Sequence, residues 1–235
     1  MERLLEHFER LVVFDTETTG LRFEADEIIE FAAAVVELRD GQAVVSEEYD
    51  NLVKLSPTGK LPPDIQKLTG ITPADLAQRG IDKKVLCEDI ARLFAGERTM
   101  LLAYNAHFDL CFLYNTLKRD GNPAILQGKA KVDLLTVYRD RRAYPHRLAS
   151  AIEAYNLQDQ VRNSHRAIDD VLATVAVMDK MMDERPDIGR YVDLFGYNAK
   201  YGIGSLPIRS VTYLPQGYEP GLPLYEKMEQ HLGGR

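Results

Sequence analysis

Cysteine, long apolar runs and basic excess are all scarce in this chain, and each shortage excludes something. Only Cys87 and Cys111 occur among 235 residues. Both stand in apolar stretches and no paired framework is visible, which excludes a disulfide-stapled scaffold and makes a reduced cytosolic setting the expectation. The longest strictly apolar run, Phe31–Val36, is far short of the roughly 20 residues a membrane span needs. Residues 1–10 are charged throughout and lack the apolar core of a signal peptide, so a cytoplasmic protein with no membrane attachment is expected. The net charge of −7 runs against simple phosphate binding, which rests on Lys and Arg. The distribution softens that objection. Residues 118–147 hold eight Lys or Arg against three Asp, a balance of +5, readable as a phosphate-tracking patch or as a solvated charged face. Acidity is also compatible with an enzyme that meets phosphate through bound cations.

With 45% apolar and 28% charged residues the chain reads as an ordinary globular protein, long enough to bury a core without staples. The first half reads as strands. Leu11–Phe14 is a short apolar run ending at Asp15, residues 27–38 form a long apolar strand, and Asp40-Gly41 signals a hairpin into a third strand over Val44–Leu55. Thr72-Pro73 is a helix start, and Val85–Phe94 has helical spacing. Met100–Tyr104 reads as a buried strand, Leu110–Leu117 as a helix, Lys131–Val137 as a strand and Leu148–Tyr155 as a short helix. Residues 166–184 are apolar almost all round and should form a long, buried helix. The expected fold class is α/β, a mixed five-stranded sheet with helices packed on it. Residues 1–185 would form the main domain and 186–235 a C-terminal extension of unassigned role. Nine of the 28 residues from Gly196 to Pro223 are Gly or Pro, interleaved with Tyr197, Tyr201, Tyr213 and Tyr218; only Ser210–Leu214 looks strand-like.

Several acids stand where chemistry could use them. Asp15 and Glu17 lie two apart at a strand end, so period-two geometry puts both on one face. They are either solvated turn residues or a pair that invites a cation, since adjacent carboxylates repel unless neutralised. Thr18-Thr19-Gly20 makes a hydroxyl-rich turn beside them. Asp109, in Asn105-Ala-His-Phe-Asp109, follows another buried strand and could be a helix N-cap or a third acid of the same sheet edge. Asp169 and Asp170 fall in a helix that should be buried, where carboxylates need a partner or a metal. His165 precedes that helix, with Asn163 or Ser164 as its cap. Five residues along one helix subtend roughly 140°, so His165 and Asp170 converge only if His165 belongs to the loop.

Phe14-Asp-Thr-Glu-Thr-Thr-Gly20, Asn105-x-x-Phe-Asp109 and His165-x-x-x-x-Asp170 together resemble the three motifs of the DEDDh (DnaQ-like) exonucleases, a family that includes the proofreading subunit of bacterial replicative polymerases and ribonuclease T. The resemblance covers about residues 10–183. It implies a ribonuclease H-like fold, two Mg²⁺ or Mn²⁺ ions, and release of 5′-mononucleotides from the 3′ end of DNA or RNA. It also implies a nucleic-acid partner, presumed single-stranded, and a possible polymerase partner. Asp15, Glu17, Asp109 and Asp170 take the metal-ligand positions and His165 the general-base position; the five-residue offset selects Asp170 over Asp169. Arg166 stands where the tyrosine branch would have Tyr, which favours the histidine branch. Leu68-Thr-Gly-Ile-Thr72 resembles a segment that lines the nucleotide site in relatives, with Thr69 in place of the usual His, and Tyr104 replaces a His before Asn105. Thr18, Thr69 and Asn105 are the expected substrate contacts. Two rival readings remain: a phosphatase using Asp15 as nucleophile, and a non-catalytic nucleic-acid-binding module on the same fold.

Overall fold

The computed structural model describes residues 1–204 and 207–233; Ser205, Leu206, Gly234 and Arg235, all in the C-terminal extension, lie outside the described residues. A short helix α1 (Glu2–Leu5) leads into strands β1 (Arg10–Thr18), β2 (Ile28–Arg39) and β3 (Gln42–Leu52), an antiparallel meander. Asp40 and Gly41 turn the second hairpin with φ of 51° and 80°, the left-handed pair that a tight hairpin requires. Helices α2 (Pro63–Thr69), α3 (Pro73–Arg79) and α4 (Lys83–Leu93) follow, then β4 (Thr99–Ala103), α5 (Ala106–Asp120), β5 (Ala130–Asp133), α6 (Leu134–Arg141), α7 (Leu148–Ala154) and α8 (Ala167–Glu184). The extension adds β6 (Leu194–Tyr197), β7 (Thr212–Pro215) and α9 (Leu224–Gly233).

The main sheet runs β3-β2-β1-β4-β5, with β4 and β5 parallel to β1. Alternation along β1 divides the core. Leu11 and Val13 join Ala32, Ala34, Met100 and Leu102 against α8, while Val12 and Phe14 join Phe31, Ala33 and Leu101 against α4 and α5. Burying such side chains contributes roughly 1.5–3 kcal/mol each, so both faces hold the register of β1 and with it the direction of Asp15 and Glu17.

Two expected elements differ in extent. The strand expected over Lys131–Val137 stops at Asp133, and α6 starts at Leu134. Asp133 decides the change: its carboxylate accepts from Leu135 N–H (3.2 Å) and the Thr136 hydroxyl (2.7 Å), a helix cap that the apolar run concealed. The helix expected at Leu110 starts at Ala106. Asn105, left-handed with φ of 72°, turns the chain, and Asp133 Oδ1 also accepts from Asn105 and Ala106 N–H at 3.0 and 3.1 Å.

The extension shares both cores. Leu194, Leu224 and Tyr225 pack on the α8 face, and Phe195 and Val211 on the other. Buried Asp140 in α6 accepts from Gln216 Nε2 (2.8 Å), the Tyr191 hydroxyl (3.0 Å) and Leu224 N–H (2.7 Å), pinning the extension to the main domain. Among the described residues, no helix is long and apolar enough to cross a membrane.

Candidate active site

The C-terminal ends of parallel β1, β4 and β5 open on one edge of the sheet, and the acids gather there. Asp15 and Glu17 continue the face of Leu11 and Val13, toward α8. Asp170 reaches them from the first turn of α8 and Asp109 from the first turn of α5. Asp109 does not cap its helix; Asn105 holds that position. Instead Asp109 Oδ1 accepts from the Thr16 backbone N–H (3.0 Å) and hydroxyl (2.7 Å), so the residue between Asp15 and Glu17 fixes a third acid arriving 93 positions later.

His165 lies outside α8 with φ of 55°. A ring nitrogen and one carboxylate oxygen each from Glu17 and Asp170 lie within 4.8 Å of one another. Its ring is exposed. The expected caps serve otherwise. Asn163 donates to Asp170 Oδ1 (2.8 Å) and Ser164 to Asp169 Oδ2 (2.5 Å), while Arg166 occupies the N-cap position without a capping side chain. The first amide of α8 is met from across the sheet: Ala167 N–H donates to Glu30 Oε2 (2.9 Å), and Arg166 forms an ion pair with the other Glu30 oxygen, Nε at 2.8 Å. Glu30, paired with Glu17 in the β1–β2 register, is completely buried. Sequence reasoning passed over it, although an acid in the middle of the apolar 27–38 run was a signal that a partner exists.

Electrostatics mark the cluster. Burial, reinforced by Asp109, Asp170, Glu17 and Glu30, raises the Asp15 carboxyl well above its ordinary value. Glu17 is pushed up to about 8 by burial and then by Asp170, Glu30 and Asp109, with Arg166 opposing. Burial lifts Asp109 to about 7 against the Thr16 hydrogen bonds. Asp170 rises to about 6, burial outweighing the Asn163 hydrogen bond and the charge of His165. Asp50, on β3 beside Glu30, also rises to about 6, through burial and then Glu30. Carboxylates this crowded are stable as anions only beside cations, and a donor set of carboxylate oxygens suits a hard divalent ion.

The other expected contacts fall unevenly. Thr18 donates to the Gly20 carbonyl (2.6 Å), which closes the turn beside the acids. A Cβ on Gly20 would stand 2.6 Å from Asp26 Oδ2, so the turn has no room for a side chain there. The Thr69 hydroxyl ends α2, donating to Ile65 O (2.9 Å) and accepting from Ile71 N–H (3.2 Å). Asn105 lines a cleft between the main domain and the extension. The basic stretch 118–147 does not make one face. The Arg141 side chain is 2% exposed and held by Met181 O, Arg185 O and Asp187. Lys131 is buried against Lys129 O and Ser210, and Arg142 pairs with Glu184. The +5 balance of residues 118–147 is therefore partly internal wiring.

The exonuclease family model RNase_T matches residues 12–178, the span that carries every one of these acids. The chain belongs to this exonuclease family. It is 33% identical over 192 residues to the PolC-type DNA polymerase III of Bacillus subtilis, covering 80% of this chain and 12% of that polymerase. Over 103 residues it is 38% identical to the DNA polymerase III subunit epsilon of Treponema pallidum, 43% of this chain and 42% of that one. Among solved structures, E. coli Exonuclease I in complex with a dT13 oligonucleotide superposes with a TM-score of 0.67 at 25% identity, over 78% of this chain and 43% of that one. The exonuclease thus spans a small part of the polymerases it matches and less than half of Exonuclease I. Its five-stranded sheet flanked by helices is the ribonuclease H-like fold of these nucleases, and the enzyme is a nuclease, a hydrolase of a family whose fold uses divalent metal ions.

Proposed function

We propose that this exonuclease removes nucleoside 5′-monophosphates from the 3′ end of a single-stranded DNA or RNA with two divalent cations, Mg²⁺ or Mn²⁺. The observation that carries this reading is the convergence of Asp15, Glu17, Asp109, Asp170 and His165 on one sheet edge, with the carboxyl groups held above their ordinary range by burial and mutual repulsion. Four such acids have more negative charge than one cation offsets.

Asp15, Glu17, Asp109 and Asp170 would hold the ions; Thr16 keeps Asp109 aimed at them. Bound divalent cations supply neutralisation of the phosphate oxygens and a lowered pKa for water. His165, exposed at the mouth and outside the helix, takes the proton from the attacking water. The P–O3′ bond breaks, the phosphate stays on the departing nucleotide's 5′ oxygen, and the shortened strand ends in a 3′ hydroxyl. Thr18, Asn105 and the turn at Thr69 border the terminal nucleoside. The likeness to PolC-type polymerases and an epsilon subunit supports a place beside a replicative polymerase, in proofreading or repair. Nothing favours the phosphatase reading, because Asp15 shares its site with three further acids and a histidine that a phosphoaspartate enzyme does not need.

Digestion of 5′-labelled DNA and RNA 12-mers with Mg²⁺, Mn²⁺ or EDTA tests the proposal. A ladder shortening from the 3′ end, absent in EDTA, is expected; internal fragments or EDTA-resistant cleavage would overturn it.

A further inference from the structure

The extension builds one wall of a cleft of about 210 Å³ whose other wall is the main domain. Asn105 and Arg139 line one side; Tyr197, Tyr201, Tyr213 and Tyr218 line the other. We infer that this cleft is a second strand-binding subsite, which takes one or two nucleotides of a single-stranded polynucleotide upstream of the bond being cut. The inference rests on the nuclease reading above and adds a task for the extension, which the exonuclease family model leaves unmatched beyond residue 178.

Position is the first argument. The acids end β1, whereas Asn105 follows β4 and Asp133, also in the lining, ends β5. These strands are parallel neighbours, so the cleft begins roughly 5–10 Å along the same sheet edge. A smaller hollow of about 180 Å³, lined by Leu21, Phe23 and Phe108, touches the cleft through Asn105 and His107 and leads back toward the Thr18–Gly20 turn. A strand whose 3′ end sits at the acids has a continuous course into the cleft.

Chemistry is the second. Aromatic faces beside a cation are what unsequenced single strands bind, because every base has a π-face and every link a phosphate. Tyr201 is 66% exposed and Tyr218 39%, and Lys200 stands 5.2 Å from the Tyr201 ring. Tyr213 is braced for a face contact: its hydroxyl is 2.7 Å from His107 Nδ1 and its ring packs edge-on against Phe195. Arg139 donates to the Gly196 carbonyl (3.1 Å). Among the described residues no carboxylate forms an ion pair with it, whereas Arg141 and Arg142 beside it are both paired. The one acid in the lining, Asp133, spends its oxygens on Asn105, Ala106, Leu135 and Thr136, at two helix N-termini that offset its charge.

The test compares a substrate that fills both places with one that fills only the first: a fluorescent DNA or RNA 12-mer, and the p-nitrophenyl ester of thymidine 5′-monophosphate, with Mn²⁺. Tyr201→Ala and Arg139→Gln are measured beside Tyr201→Phe. Each of the first two should raise KM for the 12-mer roughly 5- to 100-fold, the scale of one lost stacking or charge contact. KM for the ester and kcat for both substrates should stay unchanged, and Tyr201→Phe should keep wild-type values. An unchanged KM for the 12-mer would overturn the subsite, and so would an equal loss on both substrates, which would mark structural damage. Anisotropy of the 12-mer in EDTA separates the two readings. Weaker binding by Tyr201→Ala in a protein that hydrolyses neither substrate would keep the subsite and sink the nuclease chemistry.

Discussion

At the scale of single residues, the site is a set of carboxylates kept where they do not want to be charged. Four consequences can be measured. Protons must leave before a cation enters, and Asp170, Asp109 and Glu17 sit at about 6, 7 and 8. Mn²⁺ affinity by calorimetry should therefore rise steeply between about pH 6 and pH 8 with proton release, and a pH-independent affinity would contradict the ligand assignment. Asp170→Asn should abolish hydrolysis while raising the melting temperature in EDTA at pH 8, since one repelling charge is gone. His165→Ala should lower kcat by roughly 10²–10⁴ and leave Mn²⁺ binding nearly intact; collapse of both together would make the imidazole a ligand. Thr16→Val removes the hydroxyl that aims Asp109, and a loss of roughly 10- to 100-fold in metal affinity or activity is expected.

At the scale of elements, the decisive one is the start of α8. Its first amide and its N-cap arginine both end on Glu30, a strand residue 137 positions earlier, and this clamp sets where the loop leaves off and hence where His165 and Asp170 stand. Glu30→Gln turns one acceptor into a donor facing Arg166. A loss of roughly 2–3 kcal/mol by urea unfolding is expected, below the range for fully buried pairs because Arg166 is a third exposed. Little of this clamp was legible in the sequence. Local patterns carried the meander, the Asp40-Gly41 hairpin and the helix start at Thr72-Pro73, because each is decided by a few neighbouring residues. The acids at 15, 17, 109 and 170 stood out because their spacing is shared with a family. Glu30 and Asp133 did not, since their partners come from distant segments. The basic stretch misled for the same reason: Arg141 looks like surface charge until Asp187 closes on it.

At the scale of the whole molecule, pH and chain length both bear on stability. The raised carboxyls invert the usual acid response. Unfolded Asp and Glu titrate near 4, and the folded groups near 6–8, so their contribution is fully present below about pH 4 and lost as pH rises through the folded values. In EDTA the melting temperature attributable to this cluster should fall from pH 5.5 to pH 8.5, and Mn²⁺ should restore it; a rising metal-free profile would refute the crowding. Ending the chain at residue 185 would strip Leu194, Phe195 and Leu224 from the cores and leave buried Asp140 without its Tyr191 and Gln216 partners. Such a chain should be expressed insoluble or lack cooperative unfolding by circular dichroism. The parallel arrangement of β1, β4 and β5 has one more consequence. The acids come from segments spread over 155 positions, Asp15 to Asp170, and meet only where the end of β1 and the first turns of α5 and α8 line up. A ribosome has therefore made the whole stretch from Asp15 to Asp170 before the last of them exists, and a half-folded copy has no blade. An enzyme able to erode nucleic acid is harmless until it is finished.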